Sequence, residues 1–307
     1  MSAHVIAVVG ATATGKSGLA IELARALHGE IVNADSMQLY QGMDIGTAKE
    51  PEAARRGVPH HLLDIWPVAQ TANVADYQKL ARATIEEITA RGRTPILVGG
   101  SGLYVRAALD DLDFPGTDWV IRSRLEDELT RLGPAALHAR LAALDPAAAD
   151  AILPSNGRRI VRALEVIEIS GRPFSATMPA YQQNRPAVQI GLTLPRPELD
   201  RRIAARVDRM WQADLEGEVR SLTAQGLREG RTASRALGYQ QLLRYLDGEW
   251  TLDEARRQTM NATRRFARRQ DSWFRRDPRV TWLDATKESL LADASAMVTR
   301  GLPFPGS

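Results

Sequence analysis

The feature that most limits how this chain can fold lies near its start. Gly10-Ala11-Thr12-Ala13-Thr14-Gly15-Lys16-Ser17 is a glycine loop of the form G-x-x-x-x-G-K-S. An apolar, β-branched run at residues 4–9 leads into it, and a helical pattern at 16–27 leaves it, with Leu19, Leu23 and Leu27 four residues apart. Strand, loop and helix in that order make an anion cradle. The glycines let successive backbone N–H groups point inward. The helix N-terminus adds its positive dipole end. Lys16 supplies a full charge, and the Ser17 hydroxyl is suited to ligating Mg²⁺.

Further apolar runs at residues 30–34, 94–98, 188–194 and 280–283 read as buried parallel strands. A helical pattern at 75–90 lies between two of them. The alternation predicts an α/β fold, a P-loop NTPase-like parallel sheet flanked by helices. From 117 to 171 the pattern is helical only, punctuated by Pro134, Pro146 and Pro154. We read residues 116–186 as a helical insertion domain within a core formed by 1–115 and 187–307. Three C-terminal helical stretches are expected at 198–225, 234–246 and 252–275, and residues 301–307 are expected to be loosely ordered.

The 307 residues suffice for one large core or two modest ones. The formal net charge is only +3, so the distribution of charge, not its total, must speak for a nucleic-acid partner. With no Cys, disulfides, thiolate catalysis and Cys-ligated zinc are excluded, and the five His residues show no metal-ligand spacing. No apolar run approaches membrane-spanning length, and the first run is too short for a signal peptide. A cytoplasmic protein, without membrane contact, is expected.

The loop alone leaves the phosphate compound open. There is no N-K-x-D guanine signature, and the strand at 94–98 ends in Gly99-Gly100-Ser101-Gly102 where a motor ATPase would carry an acid. An acid ends the second strand instead: Asp35, a candidate general base or a turn-capping aspartate. Residues 256–276 hold eight Arg and a single Asp, with Arg264, Arg265 and Arg268 close together on the expected helix. Arg158, Arg159 and Arg162 form a second cluster. Arginines with so few intervening acids suggest a phosphate-backbone contact, the alternative being a solvated face. Phe266 and Trp273, seven residues apart, read as core, and His60 and His61 as packing or capping residues. At this point a nucleotide kinase with the insertion as its lid remains open, as does a non-catalytic RNA-binding regulator.

The ordered motifs go further. Residues 10–17, Asp35-Ser36-Met37-Gln38-Leu39-Tyr40, the run from Gly42 to Lys49, His60-His61-Leu62-Leu63-Asp64-Ile65, Gly99 to Tyr104, Arg162 to Val166, Gly238-Tyr239-Gln240-Gln241 and Thr263 to Gln270 together resemble the tRNA dimethylallyltransferase (tRNA isopentenyltransferase) family over nearly the whole chain. Ala11, Thr14, Ser17 and Ser101 stand where the family often has Pro, Ser, Thr and Thr. The resemblance implies transfer of a dimethylallyl group from dimethylallyl diphosphate to N6 of the adenosine beside the anticodon, with free adenine nucleotides as the alternative acceptor. It implies that Gly10, Ala11, Thr12, Ala13, Thr14, Gly15, Lys16 and Ser17 hold the diphosphate, with Mg²⁺ on Ser17. Asp35, Ser101 and Arg206 become the catalytic candidates, Arg206 as a diphosphate contact among the helix arginines Arg201, Arg202 and Arg209. Asp35, Ser36, Met37, Gln38, Ser101, Arg122, Arg158, Arg159, Arg162, Arg264, Arg265 and Arg268 become candidates for contacting the anticodon stem-loop of tRNA. A monomer is expected.

Overall fold

The structure is a computed structural model that describes residues 4–177, 181 and 184–301. Of the tail expected to be loosely ordered, residues 302–307 lie outside the described residues. The described residues divide into two compact units: residues up to Leu109 together with those from Arg185 onward, and Asp110–Asn184.

The first unit is built on a six-stranded, all-parallel sheet: β1 (Val5–Gly10), β2 (Gly29–Asn33), β3 (His60–His61), β4 (Thr94–Gly99), β5 (Ala187–Thr193) and β6 (Val280–Asp284). Their order is β3-β2-β4-β1-β5-β6. Every residue of β1 is buried, as expected of a central strand covered on both faces. Two-residue β3 was not foreseen, because His60 and His61 carry no apolar run. The pair docks beside Ile31 and Val32 of β2, and His61 Nε2 meets the Glu30 carboxylate at 2.7 Å. The helices are α1 (Lys16–Ala26), α2 (Val74–Ala90), α3 (Gly102–Leu109), α7 (Arg196–Gln212), α8 (Leu215–Thr223), α9 (Tyr239–Leu246), α10 (Leu252–Phe274) and α11 (Leu290–Gly301). Ile6, Val8, Leu23, Ile96 and Ile190 form the heart of the core, each fully buried. Burying one such side chain contributes roughly 1.5–3 kcal/mol.

The single helix expected over 198–225 is two. At Asp214 the backbone enters the left-handed region (φ 66°), and its carboxylate accepts Gly217 N at 3.0 Å to begin α8. An aspartate tolerates that conformation and caps the next helix, so no proline or glycine marks the break in the sequence.

The second unit is helical: α4 (Trp119–Leu144), α5 (Pro146–Ala151) and α6 (Gly157–Ser170). Asp118 caps α4 by accepting the amides of Val120 and Ile121. Gly133 (φ 79°) interrupts it ahead of Pro134, whose missing N–H suits a helix start. Pro146 opens α5, and Asn156 caps α6. Leu125, Leu137, Leu141, Ile160 and Leu164 form this unit's own core.

Candidate active site

The phosphate loop leaves β1, the central strand, at its carboxyl end, the usual ligand side of an open parallel sheet. Gly10 turns there with φ 132°, and a Cβ would stand 2.8 Å from the Leu192 carbonyl oxygen on β5, so only glycine fits. Thr14 Oγ1 donates to the Ala11 carbonyl at 2.9 Å and braces the loop. Lys16 Nζ folds back onto the same carbonyl at 2.6 Å. Burial pulls the Lys16 ammonium down to about 8, against the opposing pull of Asp35, and Arg206 lowers it further. Ser17 follows in the first turn of α1, half-buried.

Asp35 lies just beyond β2, in a tight turn. Asn33 Oδ1 accepts the Asp35 amide at 2.9 Å, and Asn33 Nδ2 donates to the Asp35 carbonyl at 3.0 Å. The Asp35 Oδ1 accepts Met37 N at 3.0 Å, so the capping role considered from sequence is real. It occupies one carboxylate oxygen; among the described residues Oδ2 has no hydrogen-bond partner. Ser101, at the end of the β4 glycine turn, accepts Ser36 N on its hydroxyl oxygen at 3.2 Å and lies 3.3 Å from Ser36 Oγ. Ser101 thus reaches the residue after Asp35 and not Asp35 itself.

Arg206 differs from its helix neighbours. Arg201 and Arg202 both pair with Glu198, whereas Arg206 points inward and donates to the Thr47 carbonyl at 2.9 Å. Burial draws the guanidinium below its usual range, and Asp35 opposes that effect. Gln38 Nε2 donates to the same Thr47 carbonyl at 3.3 Å. Lys49, in the same loop, is already committed to Asp44, Asp64 and the Tyr40 carbonyl.

Two cavities open onto this centre. One, of about 800 Å³, is lined by Thr12, Gly15, Lys16, Ser17, Asp35, Gln38 and the α7 arginines Arg201, Arg202, Arg206 and Arg209. The other, of about 550 Å³, is lined by Asp35, Ser36, Met37, Ser101, Arg206, Phe266 and Trp273. Thr12, Asp35, Thr47, Gly100, Arg206, Met210 and Gln270 line both. The first is rich in cations and loop amides; the second is richer in carbon and carries aromatic faces. Phe266 and Trp273 are therefore not core: Phe266 is half-buried and Trp273 is 36% exposed, and both face a cavity. Seven-residue spacing puts them on one helix face but does not say whether another element covers it. Gln270 and Thr47 fall within the motifs that carry the resemblance, but the sequence assigns neither a role of its own, since neither belongs to a residue type that marks chemistry.

The arginine candidates separate into two kinds. In the second unit, Arg122 Nη1 and Arg162 Nη1 both donate to Glu165 Oε2, at 2.8 and 2.9 Å, and that glutamate is fully buried. Their charge already has a partner. Arg158 and Arg159 are exposed at the start of α6. In the first unit, Arg264 is half-buried, with Nε 3.9 Å from Asp200, while Arg265 and Arg268 are exposed on α10. Among the described residues no helix is long and apolar enough to cross a membrane.

A phosphate loop on a parallel sheet, with an acid and a half-buried, inward-pointing arginine beside it, defines a P-loop α/β enzyme. The chain belongs to the IPP transferase family, whose model matches residues 38–277. The tRNA dimethylallyltransferase of Thermobifida fusca is 68% identical over 299 residues, covering 96% of this chain and 94% of that protein. The tRNA dimethylallyltransferase of Streptomyces coelicolor is 70% identical over 280 residues, covering 91% and 90%. Among solved structures, the full-length tRNA isopentenylpyrophosphate transferase of Bacillus halodurans superposes with a TM-score of 0.73 at 40% identity, covering 97% of this chain and 96% of that one. A eukaryotic dimethylallyltransferase acting on tRNA gives a TM-score of 0.82 at 25% identity, covering 100% and 82%.

Proposed function

We propose that the chain transfers a dimethylallyl group from dimethylallyl diphosphate to N6 of the adenosine adjacent to the anticodon of tRNA, releasing diphosphate. The observation that carries this reading is the pair of cavities sharing Asp35 and Arg206, one lined by the phosphate loop and the other by aromatic side chains. A charged leaving group suits the first, and a flat purine suits the second.

In this reading the diphosphate lies against the amides of residues 10–17, with Lys16 and Arg206 offsetting the charge that grows as the carbon–oxygen bond breaks. The C–O electron pair leaves with the diphosphate, the new C–N bond forms at the allylic carbon, and the N6 proton passes to Asp35. Exocyclic N6 is a weak nucleophile because its lone pair is delocalised into the ring, so a positioned base matters. Asp35 Oδ2, without a hydrogen-bond partner among the described residues, is the acceptor we assign. Ser17 would hold Mg²⁺ together with the bound diphosphate, and the ion would supply charge that helps draw off the leaving group. Among the described residues no cluster of acids and histidines could hold a metal by itself.

The adenine must leave its stack to enter, at a cost of a few kcal/mol. Ser36, Met37 and Ser101, which line the second cavity, would meet the extruded base, whereas Gln38 lines the first. Arg158, Arg159, Arg265 and Arg268 would meet phosphates, with Arg264 in support. We take the enzyme to act as a cytoplasmic monomer. Incubation with unmodified tRNA and dimethylallyl diphosphate, followed by mass analysis of the nucleosides, tests this. A prenylated adenosine next to the anticodon is expected. Transfer to free AMP but not to tRNA, or phosphate transfer from ATP, would overturn it.

A further inference from the structure

Glu218, on α8, belongs to none of the motifs that carry the family resemblance, yet its carboxylate collects four donors. Oε2 accepts the amides of Asp44 at 3.0 Å and Ile45 at 2.7 Å. Oε1 accepts the amide of Gly46 at 3.2 Å and the hydroxyl of Tyr239 at 2.5 Å. Tyr239 is completely buried, and burial together with the Glu218 charge pushes its phenol far above the ordinary value, so it remains a donor. The ring also dictates the residue facing it: a Cβ on Gly46 would come within 2.4 Å of a ring carbon.

The next residue in this loop is Thr47. Its hydroxyl donates to the Met43 carbonyl at 2.6 Å, and its carbonyl accepts from Arg206 and Gln38. One acid on a distant helix therefore fixes three consecutive amides, and the fourth residue of the same turn presents the carbonyl that holds Arg206. Three amides converging on one carboxylate is a strong constraint, because charge-assisted hydrogen bonds are roughly twice as strong as neutral ones.

We infer that Glu218, with Tyr239, is a positioning residue for the transfer reaction: it clamps the loop at residues 44–47 so that the Thr47 carbonyl holds the Arg206 guanidinium at the wall the two cavities share. This rests on the proposed contact between Arg206 and the diphosphate. Glu218 itself touches no substrate. Its effect on donor binding passes through Arg206, and that makes the inference separable from a purely structural role.

The test is a double-mutant cycle read by calorimetric titration with inorganic pyrophosphate and Mg²⁺, using the full chain. Arg206→Ala should weaken pyrophosphate about tenfold or more, the usual scale for a hydrogen bond to a charged group. Glu218→Ala should weaken it about fivefold in the parent protein and less than twofold in the Arg206→Ala background, because residues acting through one another are not additive. Glu218→Gln, which keeps an acceptor oxygen for part of the loop, should recover most of the affinity. If Glu218→Ala does not fold, Tyr239→Phe, which removes the hydroxyl donated to Glu218, carries the same cycle with milder factors. An equal factor for the Glu218 or Tyr239 change in both backgrounds overturns the inference while leaving the Arg206 contact intact. No effect of Arg206→Ala alone overturns the contact, and the inference with it.

Discussion

The side-chain oxygen of Gln270 accepts the backbone amide of Thr12 at 2.8 Å, across 258 residues of sequence. The same side chain donates from Nε2 to the Gly100 carbonyl at 2.9 Å. Gln270 is buried, and it ties the phosphate loop to the glycine turn that carries Ser101. Gln270→Ala removes both bonds and leaves a partly buried amide and a buried carbonyl without their partner. Folding stability should fall by about 1–3 kcal/mol, the scale for orphaned polar groups. Chemical denaturation measures it, and an unchanged midpoint would show that water replaces both bonds.

The depressed Lys16 gives a pH dependence whose sign is fixed. In the free protein the ammonium loses its proton near pH 8, below the ordinary 10.5, because burial disfavours the charge. That burial disfavours the folded state while the unfolded lysine stays charged, and the penalty fades as pH rises from 8 toward 10.5. Bound diphosphate favours the charged form, so binding should take up a proton above about pH 8, and affinity should fall with pH there. Calorimetry at about pH 8.5 in two buffers of different ionisation heat, on the parent and on Lys16→Met, isolates the effect. Proton uptake that persists in Lys16→Met would assign it elsewhere.

The two kinds of arginine should behave differently. Arg265→Ala with Arg268→Ala removes exposed charges from α10 and should lower the log–log salt slope of tRNA binding by about 0.7 for each phosphate left without its arginine. Folding should be untouched. Arg122→Ala with Arg162→Ala strands the fully buried Glu165 and should destabilise the helical unit by roughly 3 kcal/mol, as for a buried charge deprived of its partners. Binding across a salt series and thermal unfolding separate the two outcomes. A slope unchanged in the α10 variant would return that helix face to ordinary solvation.

The contrast shows where sequence was informative. The phosphate loop was legible because its chemistry needs adjacent residues: glycines for close approach, then Lys16 and Ser17 on the first turn of α1. The parallel strands were legible because burial on both faces leaves unbroken apolar runs such as β1. Residues 256–276 look nearly free of acids in part because some of the partners are distant in sequence, although Arg257 pairs with Glu254 and Arg275 with Asp271. Arg256 pairs with Asp208, and Arg264 approaches Asp200, both on α7. Gln270, Thr47 and Glu218 each act through hydrogen bonds that span 159 or more residues, and no local pattern encodes such a pairing. The break between α7 and α8 escaped notice because an aspartate, not a glycine, takes the left-handed turn.

Asp35 is the residue on which the chemistry turns. It lies in the turn just beyond β2, it lines both cavities, and one of its oxygens is held by Met37 N while the other has no hydrogen-bond partner among the described residues. Asp35→Asn keeps the side chain's size and an oxygen for the Met37 amide but removes the basic form. Single-turnover transfer to unmodified tRNA, with both substrates saturating, is the most direct measurement. The rate should fall by about a hundredfold or more, the usual contribution of a general base, while pyrophosphate affinity stays within about twofold because the phosphate loop is unchanged. A near-native rate for Asp35→Asn under those conditions would reduce Asp35 to the turn cap it also forms and assign proton removal to another group.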